Sequence, residues 1–248
     1  RFMSYLIVGA TKGLGLDLAY EFAKNSKNLL LISRNKEDLE KIKNDLEKKF
    51  NIKVEIFQID FSSNDNVKNF ISNNENILKN VEGVLFPIGM MEEDDTIYNV
   101  DKKIEKLFSA NFTGIAYLAS KLSLFFKNKN KGVIVGFGSI ASIFGRQINT
   151  GYSAAKKALE TYFESLIVTN EKSEIKIQFY ILGYLETRLS SNKKLFLPKG
   201  STKKLANIVF NNLNKHGVKK YFPFWWYFVG LIIKNLPFFI IKRIIKNF

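Results

Sequence analysis

The chain has 248 residues, 46% of them hydrophobic and 25% charged, which suits one substantial buried core and excludes a disordered or fibrous protein. It has no cysteine and a single histidine, His216, so a disulfide framework, a thiolate nucleophile and a Cys- or His-rich metal site are excluded, and no metal is expected. The net charge of +15 is unevenly placed: the last acid is Glu186, and the 11 Lys and 2 Arg from Thr187 to Phe248 supply nearly all of it.

Short apolar runs alternate with longer amphipathic stretches, the pattern of βαβ units feeding a parallel sheet. In chain order the pattern predicts strand 5–10, helix 14–24, strand 28–33, helix 36–50, strand 54–60, helix 64–73, strand 81–88, helix 104–127, strand 132–138, helix 152–170, strand 175–182, helix 202–212 and strand 218–222. Most of these strands are apolar throughout, as strands covered on both faces should be. Leu39, Ile42, Leu46 and Phe50 fall on one face of the second helix. The expected fold is α/β: a single Rossmann-type, doubly wound domain with a seven-stranded parallel sheet over residues 1–223. Residues 224–248 follow as a basic, aromatic-rich helical tail. Tyr5-Leu6-Ile7-Val8 is too short for the apolar region of a signal peptide, so a cytoplasmic protein is expected, with Met3 as the native start and Arg1-Phe2 an added remnant.

The first strand runs into Val8-Gly9-Ala10-Thr11-Lys12-Gly13-Leu14-Gly15. A glycine-rich turn between a strand and a helix N-terminus lets a pyrophosphate approach the backbone, where unpaired N–H groups and the helix dipole favour an anion. The same residues also read as a plain strand-to-helix turn. In Tyr152-Ser153-Ala154-Ala155-Lys156 a phenol and an amine stand four apart, on one helix face. An ammonium beside a phenol favours the phenolate and makes it a more usable proton donor and acceptor at neutral pH. Ser139 lies thirteen residues earlier, at the end of the fifth strand, where ligands gather in open α/β sheets.

With these three elements in order, the chain resembles the short-chain dehydrogenase/reductase family, in its compact type with TGxxxGxG and YxxxK motifs, over about residues 4–223. The resemblance implies an NAD(P)-dependent oxidoreductase that reduces a ketone or oxidises a secondary alcohol. It gives Tyr152 the role of general acid and Lys156 those of tuning the phenol and holding the nicotinamide ribose. Ser139 binds the substrate oxygen, with Ser142 the weaker candidate, and Asn111 completes a proton relay. The same resemblance places the cofactor on Gly9, Thr11, Lys12, Gly13, Leu14, Gly15, Ser33, Arg34, Asp60, Phe61, Gly89, Tyr152, Lys156, Gly183 and Thr187.

NAD-preferring members carry an acid at the end of the second strand, where this chain has Ser33-Arg34; with Lys12 as a second cation, NADP(H) is expected over NAD(H). The chain departs from the family after the fourth strand, where Phe86-Pro87-Ile88-Gly89 stands for Asn-Asn-Ala-Gly, and after the sixth, where Leu182-Gly183 replaces Pro-Gly.

The segment 221–248 mixes Trp225, Trp226, Tyr227 and Phe228 with aliphatic runs and Lys234, Lys242, Arg243 and Lys246. It reads either as a helix pair over the active-site mouth or a homodimer face, or as a membrane-surface contact on the inner leaflet with its lysines toward anionic lipid. Its longest uncharged run falls short of the about 20 residues a transmembrane helix needs. So much aliphatic bulk argues against nucleic acid. The tail also resembles those of short-chain reductases acting on polyprenyl-phosphate-linked keto-sugars. An amphiphilic or lipid-linked ketone is therefore the expected substrate and a homodimer or homotetramer the expected assembly. A soluble 3-oxoacyl-carrier-protein reductase and a non-catalytic NADP-binding sensor or scaffold are the alternatives.

Overall fold

The computed structural model describes residues 3–99, 101, 103–186 and 198–245. Seven strands pair in parallel in the order β3-β2-β1-β4-β5-β6-β7. They are β1 (Ser4–Val8), β2 (Leu29–Ser33), β3 (Val54–Gln58), β4 (Val81–Phe86), β5 (Gly132–Ser139), β6 (Ile175–Leu182) and β7 (Val218–Phe222). The chain winds outward from β1 to β3, then crosses back to place β4 on the other side of β1, with Ile7 opposite both Leu31 and Leu85. That reversal opens a crevice at the carboxyl ends of β1 and β4, the place where such sheets bind ligands.

Each face of the sheet carries its own core. On one, α1 (Gly13–Lys24), α2 (Lys36–Lys49) and α8 (Thr202–Asn211) bury Leu18, Phe22, Leu46, Leu205 and Val209 against alternate strand residues such as Ile7, Leu31 and Val135. On the other, α3 (Asn64–Asn73), α6 (Gly114–Lys129) and α7 (Thr150–Thr169) press Phe70, Leu118, Leu122, Leu159 and Phe163 on Leu6, Val84 and Ile134. Successive strand residues point to opposite faces, and both faces are covered, so β1, β2 and β5 read as nearly continuous apolar runs rather than as an alternation, while β3, β4, β6 and β7 admit Glu55, Glu82, Lys176 and Lys219-Lys220.

The expected helix 104–127 is interrupted. It divides into α5 (Ile104–Phe108), a π-helical turn at Ser109–Thr113, and α6. Polar side chains in the turn bond outward: Ser109 Oγ donates to Phe61 O (2.7 Å) and Asn111 Nδ2 donates to Met90 O (2.8 Å). Single π turns inside helices often mark functional positions. A short helix, α4 (Glu75–Leu78), and a 3₁₀ turn at Ile140–Ser142 were not evident from periodicity, being one turn or less. The tail forms α9 (Trp225–Asn235) and α10 (Phe238–Ile245), separated at Leu236-Pro237, where proline disfavours a helical residue before it.

Candidate active site

The strand-to-helix turn after β1 is held in a shape that only glycines permit. Gly9 has φ +90° and Gly13 φ +53°, and a Cβ on Gly15 would stand 1.9 Å from the Gly9 carbonyl oxygen. α1 opens with Lys12 as its N-cap, without a side-chain cap and with no acid in its first turn, so its dipole faces the crevice uncompensated. Thr11 Oγ1 and Ser33 Oγ lie 2.9 Å apart and tie this turn to the end of β2.

From here a cleft of about 930 Å³ runs along the strand ends. Arg34, Lys12 and Lys41 border one end, Asp60 and Gly89 the middle, and Tyr152 the other end. Lys41 was not picked out in the sequence: it lies one helix turn into α2, and nothing local marks that turn as facing the cleft. Asp38 also borders this end, 3.9 Å from Lys12, so Lys12 is partly neutralised and Arg34 and Lys41 are the cations without an ion pair among the described residues. A glycine cradle at an uncapped helix N-terminus fits the pyrophosphate of a dinucleotide, with Arg34 and Lys41 at the same end of the cleft.

At the other end, α7 presents Tyr152 toward the cleft and Lys156 one turn deeper. Lys156 is 3% exposed, and its Nζ donates to Ile88 O (3.2 Å) and Phe137 O (3.1 Å). Burial without a carboxylate partner lowers its pKa to about 8. Its Nζ is 6.0 Å from the Tyr152 ring centroid. Burial pushes the Tyr152 phenol above its usual 10, while a hydrogen bond from Ser139 and the nearby charge of Arg146 pull it back. Tyr152 is therefore a protonated phenol at neutral pH, beside Ser139 and facing the cleft.

Ser139 ends β5, where its Oγ also accepts from Ala141 N (3.1 Å). Ser142 is spoken for: its hydroxyl donates to Ser139 O (2.6 Å) and lies 3.4 Å from the buried carboxylate of Glu160. Burial raises the pKa of Glu160, but a hydrogen bond and ion pair with Lys219 (2.8 Å) outweigh it and keep the carboxyl ionised.

Asn111, fully buried in the π turn, makes a two-way bond with Met90: Met90 N donates to Oδ1 (3.0 Å) and Nδ2 donates to Met90 O (2.8 Å). This clamps the segment after β4 against the catalytic end of the cleft. The departure Phe86-Pro87-Ile88-Gly89 is absorbed by backbone: Ile88 supplies the carbonyl that holds Lys156, and its Cα would lie 3.0 Å from a Cβ on Gly9.

Two expected cofactor residues, Phe61 and Gly183, are placed differently in the structure, and a third is not described. Phe61 is 1% exposed, its ring in the core under Gly114, so it meets the cleft through its backbone. Gly183 faces away from the cleft lining, against the indole of Trp226. Thr187 lies outside the described residues. Asp60 borders the cleft, and its Oδ1 accepts from Ser62 N (2.9 Å) in a local turn.

Sequence reasoning missed Asp95. It is fully buried, and its carboxylate accepts from Gly151 N (2.7 Å) and Tyr152 N (2.9 Å), with its carbonyl accepting from Thr150 N (3.2 Å). It caps α7, the helix of Tyr152 and Lys156, from 56 residues away. A cap within three residues leaves a sequence signature; one this distant leaves none.

A parallel sheet with a glycine cradle at its crossover and a Ser-Tyr-Lys set at the far end of one cleft defines a nucleotide-binding α/β oxidoreductase. The family model for short chain dehydrogenase matches residues 4–196, and the chain belongs to that family; it is an oxidoreductase that uses a nicotinamide cofactor. A very-long-chain 3-oxoacyl-CoA reductase-like protein of Arabidopsis thaliana is 28% identical over 93% of this chain and 77% of its own length. The very-long-chain 3-oxoacyl-CoA reductase of Rattus norvegicus is 27% identical over 79% of this chain, which spans 64% of that relative. Among solved structures, the fold is similar to a short-chain dehydrogenase from Sphingobium yanoikuyae in complex with NADPH (TM-score 0.79, 20% identity, 95% of this chain and 97% of that one). It is also similar to the L-sorbose reductase of Gluconobacter frateurii (TM-score 0.78, 17% identity, 89% and 95%).

Proposed function

We propose that the protein reduces a ketone on a long-chain or lipid-linked carrier, using NADPH in preference to NADH. The observation that carries this reading is the pairing, along one cleft, of a protonated Tyr152 beside Ser139 with Arg34 and Lys41 at the opposite end. A nicotinamide held on the glycine turn would supply the hydride. Ser139 Oγ donates to the ketone oxygen and fixes its position, and Tyr152 O–H delivers the proton that completes the alcohol. Lys156, anchored on Ile88 O and Phe137 O, places a cation behind the phenol, so that charge left on Tyr152 is stabilised as the proton departs. Asn111 keeps the 88–90 backbone closed over Lys156.

Residues 1–223 act as the reductase domain, 224–248 as an element on its surface, and the assembly is a homodimer or homotetramer. The names of the relatives, very-long-chain 3-oxoacyl-CoA reductases, support a ketone on a long apolar carrier over a small soluble one. Fluorescence titration of NADPH and NADH against the protein and its Arg34→Ala variant tests the cofactor half. NADPH should bind at least about tenfold more tightly, a difference of about 1.4 kcal/mol, and the variant should erase most of the gap. Equal affinities in the unaltered protein would overturn the preference.

A further inference from the structure

The end of the chain turns its apolar residues outward. α9 buries Gly230 and half-buries Trp226 and Ile233, one stripe at i, i+4 and i+7. Off that stripe Phe224 is 68% exposed, Phe228 55% and Ile232 62%, and in α10 Phe238 reaches 77%. Isolated exposed apolar residues are ordinary, but a contiguous aromatic patch marks an interaction surface. Between α9 and the end of β7 the patch forms an apolar groove of about 510 Å³, lined by Phe224, Tyr227, Phe228 and Leu231 and edged by Lys220 and Lys234.

Charge says what covers it. Every charged residue from 198 to 245 is cationic, and Lys220, Lys234, Lys242 and Arg243 make no ion pair among the described residues. Lys219, which does, is held by Glu160 and Glu164 of α7. A second copy of the chain packed on this face about a two-fold axis would bring like charges together. Lysines around an aromatic plane instead complement a phospholipid headgroup layer of negative charge. Among the described residues no helix is long and apolar enough to cross a membrane, so the helices would lie along the surface.

We propose that the outer face of α9 and α10 docks on an anionic phospholipid bilayer. The inner face of the same helix packs on the segments that leave β5 and β6, next to Leu182 and Leu185 of the cleft lining. Trp226 packs on Gly183 and lies 5.8 Å from Tyr184 at the end of β6, and Gly230 abuts Ile143, the residue after Ser142. The docking face and the segments that flank the cleft thus lie on opposite sides of one helix, about 10 Å thick. Resting on the reductase reading above, this makes the substrate an amphiphile taken up from the membrane.

Co-sedimentation of the full chain with phosphatidylcholine vesicles, and with vesicles rich in phosphatidylglycerol, tests the docking without any turnover. Binding should be at least tenfold stronger to the anionic vesicles, should weaken in salt, and should be lost in a Phe228→Ser, Phe238→Ser double variant that still titrates with NADPH. No binding by the unaltered protein, or undiminished binding by the double variant, would overturn the proposal. So would light scattering that shows a dimer dissociating in the double variant with vesicle binding absent in both. A long-chain methyl ketone carried in the anionic vesicles tests the substrate. Its kcat/KM should fall at least tenfold in the double variant while that of 2-butanone holds, and an equal fall in both overturns the membrane-borne substrate. If no ketone is reduced while vesicle binding stands, the reductase reading fails and the docking surface survives.

Discussion

Lys156 carries a cost that its position makes measurable. Burial with two carbonyl acceptors and no carboxylate brings its pKa from 10.5 to about 8, so the unfolded chain holds this proton more tightly than the folded one. Stability from this group is therefore lowest below pH 8, where both states are protonated, and rises between about 8 and 10.5 as the folded lysine alone loses its proton. The full difference amounts to at most about 3 kcal/mol. Urea unfolding of the protein and of Lys156→Met at pH 7.5 and 9.5 should show the unaltered protein gaining on the variant as pH rises. A constant difference between the two would mean that the lysine is not buried as a strained cation. At Tyr152 the expectation is catalytic: Tyr152→Phe should lower kcat about 10²–10⁴-fold, the usual worth of a general acid, with NADPH affinity unchanged. Retained turnover would remove the phenol from the mechanism.

α7 owes its start to a residue on another part of the chain. Its first turn has no acid of its own and its N-cap, Asn149, makes no side-chain bond and sits at φ +59°. Asp95 serves instead, with both carboxylate oxygens on the amides of Gly151 and Tyr152. Asp95→Ala should cost about 1–2 kcal/mol of stability, at the upper end for a cap because two buried donors lose their acceptor. Since the second amide belongs to the catalytic tyrosine, kcat should fall more than NADPH affinity does. Asp95→Asn, which keeps one acceptor oxygen, should restore part of both. A variant that loses stability with kcat intact would make Asp95 a structural cap only. The sequence reading of helix 152–170 found this element and its apolar face, but began it two residues late, because the feature that sets its first residue is remote.

How the tail joins the molecule depends on one missing side chain. A Cβ on Gly183 would stand 2.1 Å from the Trp226 indole, so α9 can lie against the sheet edge only because position 183 is bare. Gly183→Ala should displace α9 and destabilise the protein by about 1–3 kcal/mol, the usual cost of overpacking, with a red shift of tryptophan emission as the indoles reach water. An unchanged spectrum and midpoint would show that α9 does not rest there. The resemblance had placed Gly183 at the cofactor; here it serves the tail.

Seven strands, six of the helices that cover them, the glycine turn and the Ser139, Tyr152 and Lys156 set were legible in the chain itself, because each is written in a repeat of two, a repeat of 3.6 or a spacing of a few residues. The cationic end of the cleft was legible through Arg34 for the same reason: it follows a strand end directly. What depended on packing was every contact between distant segments. The order of the strands put Ile88 and Phe137 over Lys156, turned the Phe61 ring into the core and drew Lys41 to the cleft. In the π turn Asn111 bonds the Met90 backbone, and Asp95 reaches α7 across 56 residues. Such contacts join groups whose separation along the chain carries no period, so their partners are chosen when both faces of the sheet close, by burial and by the need of each buried polar group for a hydrogen bond.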